Sequence, residues 1–365
     1  MKQLSLFLLL TLAGVVQAQD RVTFLDRSSK TGGTLLRSGS IAQEDPGKIT
    51  LNSGDGRRSD IPVPDVVDVI YDGEPQAEMN SVRQSERDHR YDAALAACSD
   101  AMKKTTPDKK LLRRHLEYKM AELRSIQAEK GTPAAQAIDA LRVFIKNHPD
   151  SRQSLSCLET LGRLLIASEE PVTEVLDSLA QLRSRFGADN KEVANRCDLI
   201  RSDLILQQLS ALFAKAGAAG SKSQLTAASK SLQELQTISD RSIHPELAAR
   251  IIFCQVLQDP SKAPEQWEAL LATTDDPTSR AAIHLTRGDF YRLTRKDREA
   301  MWDYLWVDTV YFADRHQQAK ALYQLMEVFD KLGDQAKARD CRERLRNDNR
   351  LKDTRYHRLA AGGKS

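Results

Sequence analysis

The sequence is poor in aromatic residues, in charge of one sign and in long apolar runs. Aromatic residues make up 5% of the 365 residues, and 54 Lys and Arg against 51 Asp and Glu leave a net charge of +3. This near balance points to no nucleic-acid or acidic partner. Beyond the N-terminus, no segment approaches the roughly 20 apolar residues that span a bilayer. With 17 Gly and 12 Pro, the chain is neither collagen-like nor of low complexity.

Cysteine is sparse as well. The five Cys are far apart and form no C-x-x-C pair, which excludes a zinc ribbon and a thioredoxin-like motif. All five fall in stretches with helical periodicity, so we interpret each as a small buried apolar residue. The odd number leaves at least one free thiol. The five are Cys98, Cys157, Cys197, Cys254 and Cys341.

Catalytic signatures are also absent. The chain contains no H-E-x-x-H, no G-x-S-x-G, no phosphate loop and no G-x-G-x-x-G. Its seven His are scattered singly, and many carboxylates stand four residues before an arginine, as Glu159 does before Arg163. That spacing is ordinary pairing on a solvated helix face. The sequence therefore predicts a protein that is not an enzyme and holds no metal and no cofactor.

What is present begins with an apolar run at the N-terminus. Lys2 precedes a run of 13 residues from Leu4 to Val16, and Val16-Gln17-Ala18 resembles a small-x-small cleavage site. The run is too short to span a bilayer as a helix. We interpret residues 1–18 as a cleaved secretory signal peptide and expect an exported protein, periplasmic or secreted. An N-terminal core helix or an uncleaved anchor is the alternative.

Residues 19–75 have the pattern of short strands. Alternating apolar runs are separated by turns rich in glycine, as at Gly54 and Gly56. The pattern predicts a small all-β, barrel-like module with a thin core, which we expect to be stabilised by packing against the adjacent part of the chain. The order Gly-Thr-Leu-Leu, Lys-Ile-Thr-Leu, Ile-Pro-Val and Val-Ile-Tyr-Asp-Gly-Glu-Pro resembles a Src-homology-type barrel at the front of some exported bacterial proteins.

After a polar linker at residues 76–81, the chain reads as helical. Apolar positions recur at helical spacing in segments that end at Pro, Gly or Asp-rich joints. Such segments with short connections predict about twelve to fourteen helices paired as hairpins. The stretch 214–223, rich in Ala, Gly and Ser, is predicted to be a longer loop between helices. Residues 350–365 are basic and are predicted to form a flexible tail.

Self-similarity within residues 82–349 is the strongest sequence signal. Gly288 is followed by Tyr291, Ala300 and Tyr304 at the offsets where a tetratricopeptide repeat places Gly, Tyr, Ala and Phe. Small residues at such positions let paired helices approach closely. Further signature positions are Phe329 and Ala338 in a second unit, and Ala137, Phe144 and Pro149 in a third. The region resembles the tetratricopeptide family, most clearly at 281–346, and a helical bundle without repeats is the alternative.

The resemblance implies a mainly α fold, an α–α superhelix of tetratricopeptide type preceded by the β module. It also implies a non-catalytic protein-interaction scaffold, whose concave face holds a peptide or partner helix. Candidate partner contacts are Trp302 and Trp306, one turn apart, and Arg342, which stands where the repeat has an aromatic residue. Plain packing of the two Trp is the alternative. A second hypothesis is that the β module binds an envelope polymer, peptidoglycan or polysaccharide.

Overall fold

The computed structural model describes residues 19–26, 33–259, 261, 263–352 and 354–361. In this part of the chain, five strands are followed by fifteen helices, which confirms the mainly α fold with a small β module in front. The predicted signal peptide at residues 1–18 lies outside the described residues.

The β module is one antiparallel sheet in the order β4-β3-β2-β1-β5. Its strands are β1 (Asp20–Leu25), β2 (Thr34–Glu44), β3 (Lys48–Asn52), β4 (Arg58–Pro62) and β5 (Val66–Ile70). The first half of β2 pairs with β1 and the second half pairs with β3, with a register shift after Ile41. Among the described strands β4 and β5 do not pair, so the sheet is open and the barrel expectation is wrong.

The sheet stays open because helices complete its core. Val22, Ile49 and Leu51 on the strands are buried in one apolar cluster with Met79 and Leu116 on the helices that follow. A second β layer is therefore not needed to cover the apolar face of the sheet. The module and the first helices form one packed unit.

The helices run through the rest of the chain, and each packs on the next along most of it. The first eight are α1 (Gln76–Arg87), α2 (Tyr91–Lys104), α3 (Lys110–Glu129), α4 (Ala135–Asn147), α5 (Ser154–Ala167), α6 (Thr173–Phe186), α7 (Lys191–Gly220) and α8 (Lys222–Ile238). The others are α9 (His244–Gln258), α10 (Ala263–Ala272), α11 (Pro277–Leu293), α12 (Asp297–Thr309), α13 (Arg315–Leu332), α14 (Gln335–Asn347) and α15 (Arg355–Ala361).

Two of the predicted boundaries are wrong at the ends of the helical region. Residues 76–81 are not a linker but the first turns of α1, and Met79 is buried there against the sheet. Residues 355–361 of the predicted flexible tail form α15, which packs on α13 and α14 with Ala360 buried. Both segments are polar in composition, but each places apolar side chains on one face, and burial of that face orders them.

The predicted loop at 214–223 is also wrong. Helix α7 continues through residues 214–216, is broken at Gly217 and is helical again up to Gly220, just before α8 starts at Lys222. Alanine is the strongest helix former, and the Ala-rich composition accounts for this continuation. Gly217 interrupts it with φ 67° and ψ −175°, a conformation that glycine adopts without a Cβ clash.

Close helix contacts occur at the repeat-signature positions. A Cβ added to Gly288 on α11 would lie 2.6 Å from the Tyr304 ring on α12, so the two helices touch only because this residue has no side chain. Five further signature residues, Ala137, Phe144, Ala300, Phe329 and Ala338, are buried, whereas Tyr291 is half-buried. Pro149 lies just after the end of α4.

All five cysteines are buried within helices and unpaired, as the periodicity predicts. Burial raises the pKa of the Cys98, Cys197, Cys254 and Cys341 thiols to about 12. They are therefore protonated and unreactive at neutral pH. None of the helices in the described ranges combines the length and apolarity that crossing a membrane requires.

Candidate functional site

A cavity of about 880 Å³ lies inside the superhelix. Its described lining comes from the odd-numbered helices α3 to α15, from the turn before α5, and from residues 63–66 of the β module. The even-numbered helices contribute no side chain to this lining. One helix of each pair thus faces the interior, as in a solenoid with a concave side.

The C-terminal helix closes one side of the cavity. The Arg355 guanidinium on α15 donates to the Glu129 carboxylate at the end of α3, 226 residues earlier, at 2.8 Å. Arg163 on α5 also reaches Glu129, at 3.5 Å. The Tyr356 and Tyr323 rings lie 5.5 Å apart and hold α15 to α13. This contact between distant parts of the chain turns the concave face into a bounded cavity.

The β module is anchored to the same odd-numbered helices. Its Glu44 side chain is fully buried, accepts from Arg114 on α3 at 2.6 Å, and pairs with Arg152 before α5. The Tyr71 hydroxyl donates to the same carboxylate at 3.1 Å. Burial disfavours the charge of Arg152, but Tyr71 and Glu44 outweigh it and hold the Arg152 pKa above its usual range. At this junction, which we call the Glu44 junction, every charge has a partner.

The cavity lining carries seven cations and three carboxylates. The cations are Arg152, Arg163, Arg196, Arg292, Arg315, Lys320 and Arg355, and the carboxylates are Glu159, Asp203 and Asp289. The excess of positive charge is local, because the whole chain is nearly neutral. Three of these cations are paired with carboxylates just outside the lining, Arg152 with Glu44, Arg292 with Glu327 and Arg355 with Glu129.

All three carboxylates of the lining are already engaged. Asp203 accepts two bonds from Arg250, at 2.6 and 2.8 Å. Asp289 accepts from the Tyr304 hydroxyl and from Lys320. Glu159 pairs with Arg163 at 2.6 Å. These acids hold the wall of the cavity together, and among the described residues none of them forms a salt bridge with another guanidinium group of the lining.

Two of the cations, by contrast, form no salt bridge among the described residues. Within the described ranges, no carboxylate lies within salt-bridge distance of Arg196 on α7 or of Arg315 at the start of α13, whereas Arg292 is held by Glu327 at 2.8 Å. Burial lowers the pKa of Arg196, with Glu159 and Glu192 opposing. Burial also lowers the pKa of the neighbouring His316, which Asp314 and Glu159 oppose and Arg315 and Arg196 reinforce.

A buried amide faces the same space. Gln153, before α5, is 3% exposed and lines the cavity. Its side-chain nitrogen and oxygen form no hydrogen bond with any described protein group. A buried amide of this kind costs free energy unless a partner binds it. The cavity wall thus presents an unused donor and an unused acceptor beside the two unpaired guanidinium groups.

The residues that the sequence singled out as partner contacts lie elsewhere. Trp302 and Trp306 on α12 are 63% and 47% exposed, and Arg342 on α14 lies 4.0 Å from Asp330. None of the three lines the cavity, because α12 and α14 are even-numbered helices, and their contact with a partner stays a prediction. Trp306 instead stacks with His284 and Tyr311 on the wall of a smaller surface pocket.

Sequence reasoning missed Gln153, Arg196 and Arg315. Each is a common polar residue on an otherwise ordinary amphipathic helix or turn, and no motif marks it. Hydrophobic periodicity shows which face of a helix is buried, but not which helix of a pair faces the interior. In the described ranges, no group of three or more His, Cys, Asp or Glu is placed to hold a metal ion.

Comparison with known proteins supports the repeat architecture. Residues 118–151 match the family model described as tetratricopeptide repeat. The match covers the end of α3 and all of α4, the unit that contains the signature positions Ala137, Phe144 and Pro149. No curated protein shows significant similarity to the chain. The match spans one repeat, within a chain that is helical over most of its described length.

Proposed function

We propose that the protein is an exported, non-catalytic scaffold that holds a segment of a partner protein in its interior cavity. The observation that carries the proposal is the cavity itself, about 880 Å³ in volume and lined by one helix of each pair. Pockets of this size are in the range that encloses a ligand. A solenoid presents its partner with such a concave surface, built from several repeats at once.

The lining fits a binding role. It combines apolar side chains such as Phe253 and Leu206 with polar groups whose hydrogen bonds are unmade, such as Gln153. Apolar contacts supply affinity to a bound segment, and a few placed polar groups fix its orientation. Binding of a segment in this way requires no covalent chemistry from the side chains of the wall.

Site-specific photocrosslinking tests the proposal. p-Benzoylphenylalanine is placed at Gln207 on α7, which lines the cavity and is exposed, or at Glu343 on α14, which is equally exposed but does not line it. We expect irradiation of cells to yield a discrete protein adduct with the Gln207 variant and none with the Glu343 variant. Adducts from Glu343 alone would put the binding surface on the outer helices and contradict the proposal.

Export is tested separately. We expect the protein recovered from a bacterial envelope fraction to begin near Gln19 by mass spectrometry, because Val16-Gln17-Ala18 supplies small residues at the cleavage site. An intact Met1 on the recovered protein would contradict cleavage. Polymer binding by the β module stays a prediction.

A further inference from the structure

The free positive charge of the cavity restricts what can bind there. Of its seven cations, five are held by carboxylates of the protein, and Arg196 and Arg315 are not. These two guanidinium groups come from α7 and α13, which are far apart in sequence but line one cavity. A partly buried guanidinium without an acid is unfavourable, and a bound anion relieves the penalty.

The wall also suits a peptide backbone. The Gln153 side chain is almost fully buried, lines the cavity, and has both its amide nitrogen and its amide oxygen unbonded. A carboxamide matches a peptide group, because it donates to a backbone carbonyl and accepts from a backbone N–H. The two acids Asp203 and Asp289 on the same wall are already engaged by protein donors, so they leave the amide of Gln153 and the two guanidinium groups as the polar groups that a ligand can bind.

On the basis of the proposed function, we propose that the cavity binds a carboxylate-rich peptide segment of the partner protein. Arg196 and Arg315 pair with acidic side chains of the segment, and Gln153 bonds to its backbone. Arginine suits this role because its planar fork of donors matches a carboxylate in a bidentate geometry. The leucine and phenylalanine side chains of the wall take the apolar residues of the segment.

Fluorescence polarisation with the purified protein tests this proposal. The probe is a fluorescein-labelled peptide of alternating glutamate and leucine with an amidated C-terminus, and the reference is the same peptide with glutamine for glutamate. We expect the glutamate peptide to bind at least tenfold more tightly, and the difference to shrink in high salt. Equal affinity for the two peptides would overturn the proposal, as would tighter binding of a labelled oligothymidylate.

Variants assign the effect to the cavity. We expect Arg196→Gln and Arg315→Gln each to weaken binding of the glutamate peptide about tenfold, since each removes charged hydrogen bonds. Arg142→Gln is the matched control: it removes the same charge from the exposed face of α4, outside the cavity, and is expected to change affinity less than about twofold. A loss as large with Arg142→Gln would show general charge attraction and overturn the assignment.

The stability of the free protein separates binding from folding. Because Arg196 is buried and forms no salt bridge with a described residue, we expect Arg196→Gln to leave the melting temperature unchanged or to raise it while binding weakens. If Arg196→Gln markedly lowers the melting temperature and Arg315→Gln leaves the peptide affinity unchanged, Arg196 serves to stabilise the fold and the proposal is overturned. If crosslinking from Gln207 succeeds while the glutamate peptide does not bind, the scaffold proposal is retained and only the proposal of an acidic partner segment is overturned.

Discussion

Arginine side chains are paired with an acid at the Glu44 junction, whereas two of them are left without a salt bridge in the interior cavity. The junction and the cavity both lie against the odd-numbered helices, and Arg152 belongs to both. At the junction the buried carboxylate of Glu44 is bound by two guanidinium groups and a hydroxyl. In the cavity, by contrast, Arg196 and Arg315 form no salt bridge among the described residues. Paired buried charges hold the fold, whereas the unpaired guanidinium groups of the cavity are the ones that a partner would bind under our proposal.

The comparison also explains the architecture of the N-terminal half. The β module covers α3, the start of α5 and the beginning of α7, where a Cβ on Gly47 would collide with Asn190. It therefore occupies part of the concave face, and its residues 63–66 form one wall of the cavity that remains. The module thus covers part of the concave face from within the same chain, and the uncovered part of that face lies beyond it.

The largest effect is expected at the Glu44 junction. Glu44→Gln removes the charge that compensates Arg114 and Arg152, so two buried guanidinium groups lose their acid. Breaking a buried pair in this way costs about 3–5 kcal/mol of unfolding free energy. The measurement is urea unfolding followed by circular dichroism, compared with the unsubstituted protein.

The matched control for that substitution is Glu174→Gln. Glu174 accepts from Arg142 at 2.7 Å, but both side chains are more than a third exposed. Surface pairs of this kind contribute about 0–1 kcal/mol. Similar losses in the two variants would show that burial of Glu44 does not set the strength of the junction.

An effect of intermediate size is expected from pH, through the Glu246 carboxyl on α9. Burial raises the pKa of the Glu246 carboxyl to about 7, Arg250 opposes this shift, and Asp203 adds to it. Because the folded state binds this proton more tightly than the unfolded state, its contribution is complete below pH 4.5, the ordinary pKa, and is lost as pH rises through 7.

At about 1.4 kcal/mol per pKa unit, about 2–3 kcal/mol of this contribution is lost between pH 5 and pH 8. Glu246→Gln is expected to remove this part of the pH dependence and to be more stable than the parent at pH 8. Unfolding free energies of the two proteins at pH 5 and pH 8 give the comparison. A stability difference that shrinks toward pH 8 would contradict the expected sign.

The smallest effects are expected on the outer helices. Trp306→Ala removes the stacking on His284 and Tyr311, with ring centroids 5.9 and 6.1 Å away, and is expected to cost about 1 kcal/mol. Trp302→Ala is expected to cost less, since the side chain is 63% exposed and alanine is the better helix former. Denaturant unfolding measures both. Equal losses would mean that Trp302 is packed as firmly as Trp306.

The parts of the fold that depend on local pattern were predictable. The period of two before residue 75 and the helical period after it distinguish the β module from the helices, and Gly288 with Tyr304 identifies a close helix crossing. Where composition alone was used, the prediction was wrong: Ala-rich residues 214–216 continue α7 up to a break at Gly217, and residues 355–361 of the basic tail form a packed helix. The first outcome follows from helix propensity, since residues 214–216 are exposed, and the second depends on burial against α13 and α14.

By itself the sequence determined the succession of strands and helices and the small residues at which paired helices touch, because periodicity and side-chain size act between near neighbours in the chain. Only the tertiary structure decided that odd-numbered helices face inward, that Arg355 meets Glu129 across 226 residues, and that Arg196 and Arg315 share one cavity. Each helix turns by a modest angle on the one before, and the sum of those rotations sets which side chains meet. Charged side chains that are distant in sequence form one site only when the superhelix brings them to the same surface.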